Sequence, residues 1–335
     1  MKVAKLTSFS PKSIQIETAE KPSPKGKEVL VRLQASSLNY RDYLLAIGTY
    51  NPRQKLPLIP LCDGAGIVEE VGPEVKNLKV GDQVIALFAE DWMDGDADFD
   101  ILRKTLGSPL DGCACEYRIF QEHSVILAPS HLEPKESATL TCAGLTAWNS
   151  IFTFGNLTEN NTVLILGTGG VSLFALQFAK GLGHKVIVTS KSDEKLEKAS
   201  KLGADYLINY SKKQNWEREV RKITNMKGAD LVVEVGGAGT LQKSIASCKS
   251  GGVVSLIGVL AGGETSLSLY PILMLGIRIQ GVIVGNKANF TKMNEFITKH
   301  KMKPVLDKDF PLEELSSALE YLETGNHFGK VTISI

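Results

Sequence analysis

The sequence predicts an α/β protein in two parts, an all-β module followed by a doubly wound parallel sheet. Two observations carry this. From Met1 to about Ser124, short apolar runs alternate with Gly, Pro and Asp turns; from about Asn161 the rhythm becomes strand, helix, strand, the pattern of a parallel sheet with crossover helices. The length agrees, since 335 residues with 43% hydrophobic side chains exceed what one core usually holds.

In the first part the strand-like runs are Val29–Leu33, Gly66–Val71, Gln83–Phe88 and Glu116–Phe120. In the second they are Thr162–Leu166, Val186–Thr189, Asp205–Ile208, Asp230–Val235 and Val253–Ile257, separated by helical patterns at Val171–Gly183, Asp193–Leu202, Trp216–Thr224 and Leu241–Cys248. Past Leu260 the order loosens, and the strand-like Lys330–Ile335 is expected to return to the first module. The expected boundaries are residues 1–124 for the β module and 125–265 for the parallel sheet. Residues 266–335 complete the sheet edge and lead back.

Charge and cysteine content exclude several classes. Thirty-eight basic against 37 acidic side chains leave a net charge of +1, too little to hold a nucleic-acid backbone. No stretch is long and apolar enough to span a bilayer, and the first residues do not read as a signal peptide. Five cysteines do not make a secreted disulfide framework, so a reducing cytoplasm is the expected location. The acidic run Asp91, Asp94, Asp96, Asp98, Asp100 mimics a calcium loop, but Phe99 stands where the turn needs Gly and Thr105 where Glu would close the cage. It reads as a solvated loop. The five histidines, His123, His131, His184, His300 and His327, show no metal-ligand spacing.

The sharpest motif follows the strand Val163–Leu166: Gly167-Thr168-Gly169-Gly170-Val171-Ser172, then a helix. This is the dinucleotide-binding, or Rossmann, arrangement, in which a glycine turn and a helix N-terminus accept a pyrophosphate. Ser172 replaces the third glycine. An NAD enzyme places Asp or Glu about 20 residues beyond the first glycine to accept the ribose hydroxyls; here the chain offers Thr189-Ser190-Lys191, with Lys195 one turn on. Hydroxyls and ammonium groups favour a 2′-phosphate, so NADPH is expected, with NADH a possible alternative. Tyr210, Gly236 and Gly258, at the ends of later strands, join the expected cofactor set.

An ordered series of motifs then resembles the medium-chain dehydrogenase/reductase superfamily over essentially the whole chain. The series includes Asn39-Tyr40-Arg41-Asp42, Gly48-Thr49-Tyr50, Asp63-Gly64-Ala65-Gly66, Gly81-Asp82-Gln83-Val84, Cys142-Ala143-Gly144-Leu145-Thr146 and Gly329-Lys330-Val331. The resemblance implies a GroES-like substrate domain, a Rossmann domain, a cleft between them and commonly a homodimer. Through it Thr146 and Lys330 enter the cofactor set. In zinc-dependent members a Cys, a His in Gly-His-Glu and a second Cys hold the catalytic metal; the matching positions here are Asn39, Cys62 followed by Asp63, and Cys142. Asn39 is a poor zinc ligand, and the four-cysteine structural lobe is absent because Ala89–Gly112 holds no Cys. No bound metal is therefore expected, with Cys62, Asp63 and Cys142 as the fallback ligand set.

The chemistry implied is hydride transfer to a quinone, an enone or another carbonyl-activated substrate, with Asn39, Tyr50, Asp63 and Cys142 as the catalytic candidates. Asn39 or Tyr50 is expected to donate a hydrogen bond to the developing enolate. Two other readings stand beside this one: a zinc-dependent alcohol dehydrogenase with an altered ligand set, and a non-catalytic NADPH-binding protein. The expected partners are a small-molecule substrate and a second copy of the chain.

Overall fold

A computed structural model describes all 335 residues and divides them into two compact units, Met1–Leu145 with Gly285–Ile335, and Thr146–Val284. The β module is therefore longer than its sequence pattern suggests. Residues 125–145 belong to it, not to the parallel sheet, because Val125–Leu127 forms its edge strand against Gln83–Ala86 and the Thr141 hydroxyl donates to Ala86 O. The chain after Gly285 returns to it with the helices Lys287–His300 and Leu315–Glu323 and the strands Leu306–Pro311 and Lys330–Ser334. No helix is long and apolar enough to cross a membrane.

The first unit is built on a seven-stranded sheet around Glu28–Ser37. That strand pairs antiparallel with Ala65–Val71, with Tyr117–Gln121 and, at its far end, with the returning strand in the register Thr332↔Ser37. The expected return of the C-terminal strand is thus found, and it sets Lys330 near the residues that follow Ser37. Leu6, Leu45, Leu61, Leu315, Leu319, Val331 and Ile333 share one buried core, so helices from both ends of the chain pack on the same apolar cluster. Each such side chain contributes roughly 2 kcal/mol by leaving water.

The second unit has the strand order Tyr206–Asn209, Lys185–Ser190, Thr162–Leu166, Ala229–Glu234, Cys248–Leu256, Arg278–Gly281, all parallel. The order reverses beside the first strand in sequence, the position at which doubly wound sheets bind ligands. A buried carboxylate fixes the turn after the fourth strand. Glu234 Oε1 accepts from Gly236 N at 2.6 Å, Gly237 N at 3.0 Å and Thr240 Oγ1 at 2.6 Å, and Oε2 accepts from the Ser244 hydroxyl.

The helix Tyr40–Ala46 begins where the central strand ends, and its cap explains an unusual acid. Asp42 Oδ2 accepts from the Asn39 backbone N–H at 2.9 Å, closing the first turn. The carboxyl is fully buried and its Oδ1 has no hydrogen-bond partner, although Arg41 Nη1 lies 3.6 Å away. Burial pushes Asp42 up to about 6; Arg41 opposes the shift and Asp63 adds to it. A carboxyl raised on folding gives stability that is full below its unfolded value of 3.8 and declines as pH rises toward 6. Asp42→Asn keeps an acceptor for the cap and removes the proton. Its stability relative to the parent, read from thermal or urea unfolding, is expected to improve by on the order of 2 kcal/mol between about pH 4 and about pH 7. A difference independent of pH refutes this origin.

Candidate active site

Asp63 is the hub of the polar cluster in the first unit. It follows Cys62 at the entrance to the strand Ala65–Val71, has no exposed surface, and has both carboxylate oxygens occupied. Oδ2 accepts from the Ser37 hydroxyl, from Asn39 Nδ2 at 2.9 Å and from Lys330 Nζ at 3.2 Å; Oδ1 faces the Cys62 thiol at 3.3 Å. Lys330 is equally committed. Its buried ammonium also donates to Leu38 O and Asn39 Oδ1, each at 2.7 Å. Three protons meet three acceptors, so Lys330 is fully engaged within this cluster. It is the counter-ion of Asp63.

The same network turns the Asn39 amide inward. One N–H goes to Asp63, Sγ of Cys62 lies 3.6 Å from the same nitrogen, and the carbonyl accepts from Lys330. The expected hydrogen bond from Asn39 to a substrate oxygen is therefore not what this arrangement provides; Asn39 ties the helix start to the buried ion pair. Asp63, expected among the catalytic groups, has no exposed surface and is committed mainly to this cluster. Cys142 differs. It sits in a π-helical turn, Leu140–Gly144, with partial exposure beside the buried Cys62. Burial, and then the neighbouring Cys142, push the Cys62 thiol well above its ordinary value.

Sγ of Cys62, Sγ of Cys142 and a carboxylate oxygen of Asp63 lie within 4.8 Å of one another, close enough to converge on one ion. The set differs from the usual catalytic zinc ligands, with a carboxylate in place of the imidazole and the Asn39 amide at the position of one thiolate. Asp63 is already neutralised by Lys330, and Asn39 offers an amide oxygen that is already an acceptor. A metal here would have to share Asp63 with Lys330, with Cys62 and Cys142 as its other protein ligands. Cys113 and Cys115 are packed thiols, and burial pushes Cys115 up to about 12.

Tyr50 occupies a turn that folds back on the helix Tyr40–Ala46: Gly48 N donates to Leu45 O at 2.9 Å, and Thr49 N and Tyr50 N both donate to Leu44 O. Gly48 has φ +77°, and a Cβ there would lie 2.8 Å from the Phe9 ring, so only glycine makes the turn. The Tyr50 side chain is 45% exposed. The acidic loop is held locally: Asp91 pairs with Lys104 and His123, and Asp98 caps the short helix Phe99–Leu102.

In the second unit the glycine turn follows its strand as expected. Gly167 has φ +73°, and a Cβ there would meet nothing nearer than 3.9 Å, so the space over the turn is open. Gly169 caps the helix Gly170–Gly181, whose first N–H groups, among them those of Gly170 and Val171, have no partner within the helix. This fits a pyrophosphate. Ser172 spends its hydroxyl on Leu166 O at 2.7 Å, which accounts for its tolerance at the third position. Thr168 is buried in the turn, and Thr146 lies on the helix Leu145–Trp148, where its carbonyl accepts from the Ser150 hydroxyl.

At the end of the second strand Ser190 is buried, with Oγ accepting from Ser192 N and its carbonyl accepting from Tyr210 N at 3.1 Å. Lys191 is exposed and Lys195 half-exposed. The nearest carboxylate on the following helix, Asp193, is occupied by Asn209 and Lys212. Gly236 spends its N–H on Glu234 and leaves room for the Thr240 side chain, while a Cβ at Gly258 would lie 2.3 Å from Val235 O. Ser37 and Glu234 were missed from the sequence; the only signal for Glu234 was a single acid in the apolar run Leu231–Val235.

Comparison with known proteins agrees with both units. Residues 25–130 match the alcohol dehydrogenase GroES-like domain, and residues 170–299 match the zinc-binding dehydrogenase family. A zinc-type alcohol dehydrogenase-like protein of Schizosaccharomyces pombe is 42% identical over 96% of this chain and 94% of its own length. A 2-methylene-furan-3-one reductase of Solanum lycopersicum is 32% identical over 93% of this chain and 73% of its own. The crystal structure of an NAD-dependent alcohol dehydrogenase, 30% identical, superposes with a TM-score of 0.92 over the full length of both chains. The chain is an oxidoreductase of the medium-chain dehydrogenase/reductase superfamily.

Proposed function

We propose that this chain uses NADPH to reduce an enone, a quinone or another carbonyl-activated substrate, without a catalytic zinc. The observation that carries the proposal is the commitment of Asp63 to Lys330, Asn39, Ser37 and Cys62, which already balances its charge and makes it a poorer third ligand for a metal. The resemblance to the furanone reductase supports a conjugated carbonyl as the substrate class. A reduced nicotinamide, when bound, supplies the hydride. The chain must then stabilise the enolate oxygen and deliver one proton. Tyr50 is the partly exposed hydroxyl suited to both, and Cys142 lines the same neighbourhood as Asp63, while Asn39 and Lys330 keep the helix that precedes Tyr50 in place.

The preference for NADPH rests on Ser190, Lys191 and Lys195, and on the diversion of Asp193 into contacts with Asn209 and Lys212. No free carboxylate at the end of that strand competes with a 2′-phosphate. Assembly rests on the edge of the parallel sheet. The last strand, Arg278–Gly281, is preceded by the helix Tyr270–Leu275, on which Tyr270, Leu273 and Met274 are each at least 75% exposed. An isologous dimer covers such a patch and the strand edge beside it. Five free thiols suit a reducing compartment such as the cytoplasm.

Three measurements test this reading. Purified protein is expected to oxidise NADPH with a quinone or enone panel, unaffected by chelator, and Tyr50→Phe is expected to lower the rate by about 10²-fold. Near-stoichiometric zinc, with activity lost on chelation, points instead to an alcohol dehydrogenase with an altered ligand set. NADPH is expected to bind at least several-fold tighter than NADH, with Ser190→Asp narrowing the ratio; equal affinities in the parent refute the preference. Light scattering at micromolar concentration is expected to give a dimer mass, and a monomer mass there removes the assembly.

A further inference from the structure

Arg41 is buried one residue before Asp42, on the helix that leads to Tyr50, and the activity as described so far makes no use of it. Its side chain keeps only 9% exposure. Nη1 donates to Leu106 O at 3.0 Å and Nη2 to Ser108 O at 3.3 Å. Its guanidinium carbon lies 4.7 Å from the centre of the Tyr50 ring and 5.2 Å from that of Phe88. The turn bearing Tyr50 is also stitched to the same carbonyl segment, since Asn51 Nδ2 donates to Ser108 Oγ at 3.3 Å and Ser108 Oγ donates to Gln54 Oε1 at 2.8 Å. One guanidinium therefore joins the helix, the segment Leu106–Ser108 and the face of the Tyr50 ring.

We propose that Arg41 is a positioning residue for the reaction, fixing the Tyr50 ring and setting a permanent positive charge against it as its proton leaves. The inference rests on the reading of Tyr50 as the proton donor. In that step the Tyr50 O–H bond breaks and the proton joins the carbon next to the carbonyl of the enolate left by hydride addition. The phenolate is then reprotonated by water, so no further oxidant or reductant is needed. A cation held at the ring stabilises the phenolate more than the phenol, the differential that accelerates proton delivery. Burial works against the guanidinium's charge, but its neighbours hold it above its ordinary value, so Arg41 stays protonated. Arg41 does this as lysine cannot, because the planar fork reaches two carbonyls while its face lies on the ring.

The test is a double-mutant cycle with Arg41→Lys, Arg41→Gln and Tyr50→Phe, singly and combined, each assayed below its own melting midpoint with NADPH and an enone. Arg41→Lys is expected to lower kcat about tenfold or more with the KM for NADPH within about twofold, and Arg41→Gln to lower it at least as far. In the Tyr50→Phe background either change is expected to cost less than about twofold more, because the group it acts through is gone. Losses that multiply in the double variants, or an unchanged kcat in both single Arg41 variants, overturn the inference and leave the donor assignment standing. A Tyr50→Phe enzyme with parental kcat overturns the donor assignment itself, and the inference with it. Should Arg41→Lys not fold, Arg41→Gln carries the same cycle, since it keeps one donor for Leu106 O.

Discussion

The ion pair between Asp63 and Lys330 is the constraint around which the first unit is assembled. A carboxylate without exposed surface costs several kcal/mol to desolvate, and it persists only where a counter-ion and full hydrogen bonding accompany it. The partners come from three distant stretches of chain: Ser37 and Asn39 at the end of the central strand, Cys62 next door, and Lys330 at the head of the returning C-terminal strand. Losing either charge leaves the other buried and unpaired, at a cost of roughly 3–5 kcal/mol. The position of the C-terminal strand and the start of the helix Tyr40–Ala46 thus depend on one pair, and that helix carries the turn with Tyr50.

This pair also explains how a fold shared with zinc-type enzymes accommodates Asn39 and Cys62. The amide of Asn39 adds no charge, and the ammonium of Lys330 balances the Asp63 carboxylate. Asn39 matches both neighbours at once, giving its N–H to the carboxylate and its carbonyl to the ammonium. A thiolate in its place could only accept, and would leave Asp63 facing a second negative charge.

Much of the architecture was legible in the chain because its signals are local. The parallel sheet announced itself through apolar runs of strand length separated by helical patterns, and the glycine turn at Gly167 through the strand and helix on either side. The domain limits were not legible, since Val125–Leu127 is a three-residue edge strand whose partner lies far back in sequence. The motif around Lys330 is visible in the chain, but its pairing with Asp63 is not, because nothing local shows that the strand beginning with it pairs beside Ser37. The roles of Asn39 and Arg41 were hidden for the same reason: Lys330 stands 291 residues from Asn39, and the carbonyls that hold Arg41 lie more than 60 residues away.

The carboxylate of Glu234 bears on motion. It has no cationic partner within the second unit's hydrogen-bond network; four donors from Gly236, Gly237, Thr240 and Ser244 hold it instead. Those donors span the turn after the strand and the first half of the helix Leu241–Ser247. Peeling the turn away would strand a buried negative charge, so small excursions gain nothing and cost several bonds at once. Strand end, turn and helix start should therefore move as one rigid piece, and amide hydrogens from Gly236 to Ser244 should exchange together, by a single opening event.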